Sequence, residues 1–139
     1  MNEIKILLVE DNEGDIILTR EALLEGKIKN EVSVAMDGQE ALDMLQSATS
    51  LPDLVLLDIN LPKMNGLEVL AAIKKDDRLK MIPVIMLSTS ASERDIKDSY
   101  SNHASCFITK PVDYNRFMEV VRTIEDFWIT VVRLPNNIK

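Results

Sequence analysis

The chain has 139 residues, 46% of them hydrophobic, and carries a formal net charge of −7. That length makes one domain with enough apolar material for a sizeable core, and the negative balance argues against a nucleic-acid or anionic-membrane surface. No apolar run approaches the ~20 residues of a membrane span, the first residues read straight into a strand without a signal peptide, and the single cysteine, Cys106, excludes an intramolecular disulfide, so a cytoplasmic location is expected.

Ile4 to Val9 reads as a strand, apolar from Ile6 onward, and it runs directly into Glu10 and Asp11. Gly14 to Leu24 has helical apolar spacing through Ile17, Leu18, Ala22 and Leu23. Val32 to Ala35 is a short strand, and Asp37-Gly38 opens a helix over "DGQEALDMLQ". Leu54 to Asp58 is the third strand. Its apolar run suits a strand buried on both faces, yet it ends in a carboxylate, whose burial is costly without a partner. A loop with Pro62 and Gly66 leads to a helix from Leu67 to Lys75. Pro83 to Leu87 is the fourth strand, with Ser88 just beyond it, and Ser92 to Ser101 is a polar helix. Cys106 to Thr109 is the fifth strand, Lys110 follows it, and a last helix starts near Asp113. Repeated βα units with short connections predict an α/β fold, a parallel sheet with helices on both faces. No linker, low-complexity tract or repeat divides the chain, so residues 1–139 are expected to form a single domain.

In open α/β sheets, ligands bind beyond the carboxyl ends of the strands, where strand order reverses. Glu10, Asp11, Asp58, Ser88 and Lys110 all fall at such ends, so polar residues from separate strands converge on one crevice. Three carboxylates held close repel one another, and a hard dication such as Mg²⁺, with Mn²⁺ as a substitute, relieves that with oxygen ligands. Mg²⁺ suits phosphoryl chemistry, Lys110 can set a compact positive charge on phosphoryl oxygens, and the Ser88 hydroxyl can donate to one. The backbone N–H of Thr89 is a further candidate contact to phosphate. A carboxylate can itself be the nucleophile, giving an aspartyl-phosphate, and Asp58 on the central strand is the candidate.

At these residues the sequence resembles the response-regulator receiver domain of two-component signalling. Glu10-Asp11, Asp58, Ser88 and Lys110-Pro111 match its signature; "LLDINLPKMNG" is similar to its phosphoacceptor loop, "PVIMLSTSA" to its fourth-strand switch segment and "CFITKP" to its fifth strand and lysine turn. The resemblance spans about Ile4 to Ile124. It implies a flavodoxin-like, doubly wound five-stranded sheet of order 2-1-3-4-5 and phosphotransfer from a sensor histidine kinase or a phosphotransfer protein. It implies Mg²⁺ held by Glu10 or Asp11, by Asp58 and by the Asn60 main-chain carbonyl. It also implies a switch in which the Ser88 hydroxyl moves to the phosphoryl group while Phe107 turns inward, in a protein that promotes its own phosphorylation and dephosphorylation and turns over no separate substrate. The tail "DFWITVVRLPNN" is similar to single-domain regulators that partner bacterial phytochrome-type kinases.

Glu10 stands where many members of that family have Asp, which lengthens the ligand by one methylene, and His103 occupies a turn where Gly is usual. A haloacid-dehalogenase-type phosphatase would need a second acid two residues after Asp58, where this chain has Asn60. A flavin carrier of the same fold would bind phosphate after its first strand, where Glu10 and Asp11 repel it. After Lys110 the chain is too short for a helix-turn-helix output module, so residues 125–139 are expected to be a helix extension and tail, and the output to be protein contacts. Phe117, Val121, Ile124, Trp128 and Val131 recur on one helical face, with Val120, Phe127 and Val132 largely outside it. That excess of apolar surface predicts a contact, either a symmetric homodimer or a kinase interface, with a tail folded back on its own domain as the alternative.

Overall fold

The computed structural model describes residues 4–24, 30–88, 93–104 and 106–109. Along them run β1 (Ile4–Val9), α1 (Glu13–Leu24), β2 (Asn30–Ala35), α2 (Gly38–Ser47), β3 (Leu54–Asp58), α3 (Gly66–Lys75), β4 (Val84–Ser88), α4 (Glu93–Ser101) and β5 (Cys106–Thr109). The predicted alternation of strands and helices holds throughout this span. β2, β1, β3 and β4 lie side by side in that order, all parallel, as the flavodoxin-like reading expects. Residues Cys106–Thr109 register along β4, from Ile85↔Cys106 to Ser88↔Thr109. The chain leaves β1 for β2 on one side and returns to β3 on the other, so the switch point lies between the ends of β1 and β3.

Every residue of β3 and β4 is buried, which accounts for their lack of hydrophobic alternation. Side chains still point to opposite faces in turn. Leu7, Val9, Val55, Leu57 and Met86 join the core beneath α2 and α3, whereas Ile6, Leu8, Leu54, Leu56 and Leu87 join the core that contains Ala22 and Leu23 of α1. Helices therefore cover both faces.

Three expectations need correction. In α1 the buried face runs through Thr19, Ala22 and Leu23, with Ile16 packed beside it, while Ile17 points outward at 58% exposure. The helix is apolar on more than one side, so spacing alone could not choose the buried one. Ser88 is the last residue of β4 rather than a residue beyond it; the strand starts at Val84 because Pro83 offers a carbonyl, accepting from the Val55 N–H at 3.0 Å, but no N–H of its own. The scattered methionines, expected to fill gaps in the core, do so at buried Met86 but not at Met36 and Met81, which are exposed.

The helix ends are closed by identifiable groups. Asp37 caps α2 by accepting from the Glu40 N–H at 2.8 Å, and Asn65 caps α3 by accepting from Glu68 at 3.0 Å. The last turn of α2 contains no basic residue; Arg78 reaches over from the α3–β4 connection and donates to the carbonyls of Leu45 (3.0 Å), Gln46 (3.3 Å) and Ala48. α4 ends in a Schellman motif. The Ala104 N–H donates to Ser99, the His103 N–H donates to Tyr100, and His103 takes the left-handed position at φ 66°. The turn where Gly is usual thus keeps the glycine geometry with a histidine in it.

Candidate metal centre

β1 and β3 are direct neighbours with Val9 opposite Leu57, so the residues that follow each strand emerge together. The Glu10 N–H continues onto β2 by donating to the Ala35 carbonyl at 3.0 Å, and the Ile59 N–H continues onto β4 by donating to Leu87 at 3.0 Å. These two bonds hold the acid-bearing ends in the sheet one residue beyond the core run. Glu10, Asp11 and Asp58 each bring a carboxylate oxygen within 4.8 Å of the others. Glu10 is 1% exposed, Asp58 6%, and Asp11 is open to solvent.

Two like charges at that separation repel by about 3 kcal/mol at an effective dielectric constant of about 20, less where water screens Asp11. Some of that is met by local donors. The Asn12 N–H approaches Glu10 Oε2 at 3.3 Å, and the Asn60 N–H approaches Asp58 Oδ1 at 3.2 Å. Neither donor carries a full charge. A donor set of hard carboxylate oxygens, two of them on buried residues, suits a divalent cation that takes oxygen ligands, so these residues fit Mg²⁺ or Mn²⁺.

The other predicted residues divide. Ser88 is fully buried at the end of β4, one position past the Leu87 that pairs with Asp58. Phe107 pairs with Met86 in register and packs, partly buried, against the core beneath α2 and α3. Asn60, whose carbonyl was expected to face the cation, follows Asp58 by two residues in the β3–α3 loop. Thr89, Lys110, Pro111 and the predicted last helix lie outside the described residues.

Residues without titratable groups shape the loop after Asp58. A Cβ at Gly66 would sit 2.2 Å from the Asp58 carbonyl oxygen, while the Gly66 N–H donates to Ile59 at 2.8 Å; the loop closes on its own strand only because residue 66 is bare. Gly38, at the start of α2, plays the same part from outside. A Cβ there would meet the Met64 carbonyl oxygen at 2.5 Å and Val69 Cγ2 at 2.7 Å. Lys63 takes a left-handed φ of 66°, and its Nζ lies 3.4 Å from Asp37 Oδ2. The Glu40 N–H, helped by Lys63, holds the Asp37 carboxyl below the usual range. The signals for both glycines, Asp37-Gly38 and Asn65-Gly66, are visible as turn dipeptides; which surface each would touch is not.

Comparison with known proteins agrees with this geometry. The family described as the response regulator receiver domain matches residues 6–122. Response regulator Rcp1 of Synechocystis sp. is 42% identical over 135 residues, covering 94% of this chain and 92% of Rcp1. The crystal structure of the phosphorylated cyanobacterial phytochrome response regulator RcpA superposes with a TM-score of 0.86 at 47% identity, covering 96% of this chain and 99% of that one. The Mn²⁺-bound form of Rcp1 superposes with a TM-score of 0.83, covering 95% of this chain and 99% of that one.

Proposed function

This chain belongs to the response regulator receiver family, the phosphoacceptor regulators of two-component signalling, and we propose that within it Asp58 takes the phosphoryl group. The observation that carries this reading is the meeting of Glu10, Asp11 and Asp58 oxygens within 4.8 Å at the switch point of the sheet. An Asp58 carboxylate oxygen attacks phosphorus, an O–P bond forms, and the N–P bond to the donor imidazole breaks. The buried position of Asp58 excludes most competing water, and the Asn60 N–H on Oδ1 fixes the plane of the nucleophile.

Glu10, Asp11, Asp58 and the Asn60 carbonyl would hold Mg²⁺, with Mn²⁺ able to replace it. The bound ion supplies neutralisation of charge on the transferring phosphoryl oxygens. Glu10 reaches the site with a longer arm than Asp, and its Oε2 is steadied by the Asn12 N–H. Lys110 and the Thr89 N–H complete the phosphoryl contacts. Ser88 and Phe107 form the switch: the hydroxyl follows the phosphoryl group and the ring fills the space it leaves. The protein promotes its own labelling and, through a positioned water, its own dephosphorylation. In this reading the sheet is the complete 2-1-3-4-5 arrangement; residues 125–139, expected to be a helix extension and tail, lie outside the described residues.

The phosphoryl donor in this reading is a phytochrome-type sensor histidine kinase, as the phytochrome regulators among its relatives suggest, or a phosphotransfer protein that relays from one. The setting is cytoplasmic, and among the described residues no helix is long and apolar enough to cross a membrane. Output passes through protein contacts, including a homodimer through the C-terminal helix and tail.

The test is direct labelling. Acetyl phosphate with Mg²⁺ should add one acid-stable, base-labile phosphoryl group that is absent from Asp58→Asn and from protein in excess chelator. Unchanged labelling of that variant would move the chemistry to another residue.

A further inference from the structure

The Asp58–Gly66 loop is tied at its inner end by Gly66 against the Asp58 carbonyl. Its outer part rests on the first turn of α2, which no ligand set includes. Three features of the β2–α2 junction face both halves of the acid cluster. Ala35, two residues before the cap, accepts the Glu10 N–H at 3.0 Å. Asp37 faces Lys63 at 3.4 Å. Gly38 lies so close to Met64 that a side-chain carbon would meet its carbonyl oxygen at 2.5 Å. The segment Ala35–Gly38 therefore touches the residue that carries one acid and the loop that follows another.

We propose that Gly38 and the Asp37–Lys63 pair are positioning residues for the cation site, registering the loop that presents the Asn60 carbonyl onto the N-terminus of α2. This rests on the reading of Glu10, Asp11 and Asp58 as cation ligands. The two devices differ in strength. The Gly38 contact is a hard limit between backbone groups on both sides, and an added methyl must push the Met64 carbonyl outward. Because Met64 lies between Asn60 and the Asn65 cap of α3, that push reaches the loop, while the second close contact, Val69 Cγ2 at 2.7 Å, falls on α3 itself. The ion pair is a soft tether, since Lys63 is 72% exposed and salt screens it.

The test is the Mn²⁺ dissociation constant of the unphosphorylated full chain, read by electron paramagnetic resonance, beside stability in urea. Gly38→Ala should weaken Mn²⁺ by about tenfold, the range for groups that orient metal ligands without touching the ion. Arg78→Ala strips the cap from the far end of α2 and controls for destabilisation; it should lower stability and leave Mn²⁺ affinity alone. Asp37→Asn keeps the cap and drops the ion pair, so it should weaken Mn²⁺ by about twofold at low salt and not at high salt. Wild-type Mn²⁺ affinity in Gly38→Ala, or equal losses in Gly38→Ala and Arg78→Ala, would reduce the contact to ordinary packing. If Gly38→Ala does not fold, Asp37→Asn decides, and salt-independent wild-type affinity there overturns the tether. Failure of the underlying reading looks different: the wild-type chain itself would then bind no Mn²⁺ that Asp11→Ala removes.

Discussion

Single side chains decide several properties of this domain, and the hardest constraint is one that is missing. A Cβ at Gly66 overlaps the Asp58 carbonyl, so Gly66→Ala must displace the end of β3. Such overpacking costs roughly 1–3 kcal/mol, and urea unfolding should show that loss together with slower acetyl phosphate labelling. His103 presents the reverse case. It holds the left-handed position of the Schellman turn after α4, where a side chain is a liability, so His103→Gly should raise stability by about 1 kcal/mol with labelling unchanged. Asp37 carries a pH dependence of known sign. Its folded pKa is depressed below the ordinary 3.8, chiefly by the Glu40 N–H, so the cap's contribution is complete above that value and disappears as pH falls through the folded one. Acid titration of Asp37→Asn, which keeps a capping oxygen but cannot titrate, should flatten that limb of the stability curve.

At the scale of elements, what the sequence made legible followed from the strands. Buried parallel strands read as uninterrupted apolar runs, and the acids that follow β1 and close β3 stand out against them, so the meeting of Glu10, Asp11 and Asp58 was legible in the sequence, whereas Ser88 was expected one residue beyond a strand that includes it. The helices were less readable. α1 offers Ile17 and Leu24 as plausible core residues, yet both face out, because its burial is set by the position of β1 and β2 beneath it and not by its own periodicity. The cap of α2 was legible at its start, in Asp37, and hidden at its end. Arg78 lies thirty or more residues from the carbonyls it serves, a link that only tertiary structure creates. Arg78→Ala should cost about 1–2 kcal/mol and speed amide exchange in the α3–β4 connection that it anchors, because three carbonyls lose a charged donor.

For the whole molecule, cation binding and folding are one equilibrium. Ligands contributed by separate strands exist together only in the folded chain, so a cation at a hundred times its dissociation constant should raise stability by about 2.7 kcal/mol. Thermal or urea unfolding with and without Mg²⁺ checks this, and the shift should vanish in Asp11→Ala. Self-association belongs to the same scale. If Phe127 and Trp128 anchor an isologous contact, replacing both with Ala should weaken the dimer by about thirtyfold while Asp58 still accepts phosphate. Sedimentation with and without a phosphoryl mimic measures it, and a concentration-independent monomer in both states would remove the dimer from the reading.

The pairing of β1 with β3 also has a consequence during synthesis. Val9 and Leu57 are partners across 48 residues of chain, and the whole β2–α2 unit must be laid against the far side of β1 between them. A growing polypeptide that has not yet released β3 from the ribosome holds Glu10 and Asp11 with nothing opposite them. Closing so long a loop is entropically slow, and it assembles the acids at the same moment as it completes the centre of the sheet. A nascent chain should therefore gain Mn²⁺ binding in one step as its length increases, at the length where Asp58, Asn60 and the β4 strand that pairs with β3 have all cleared the exit tunnel.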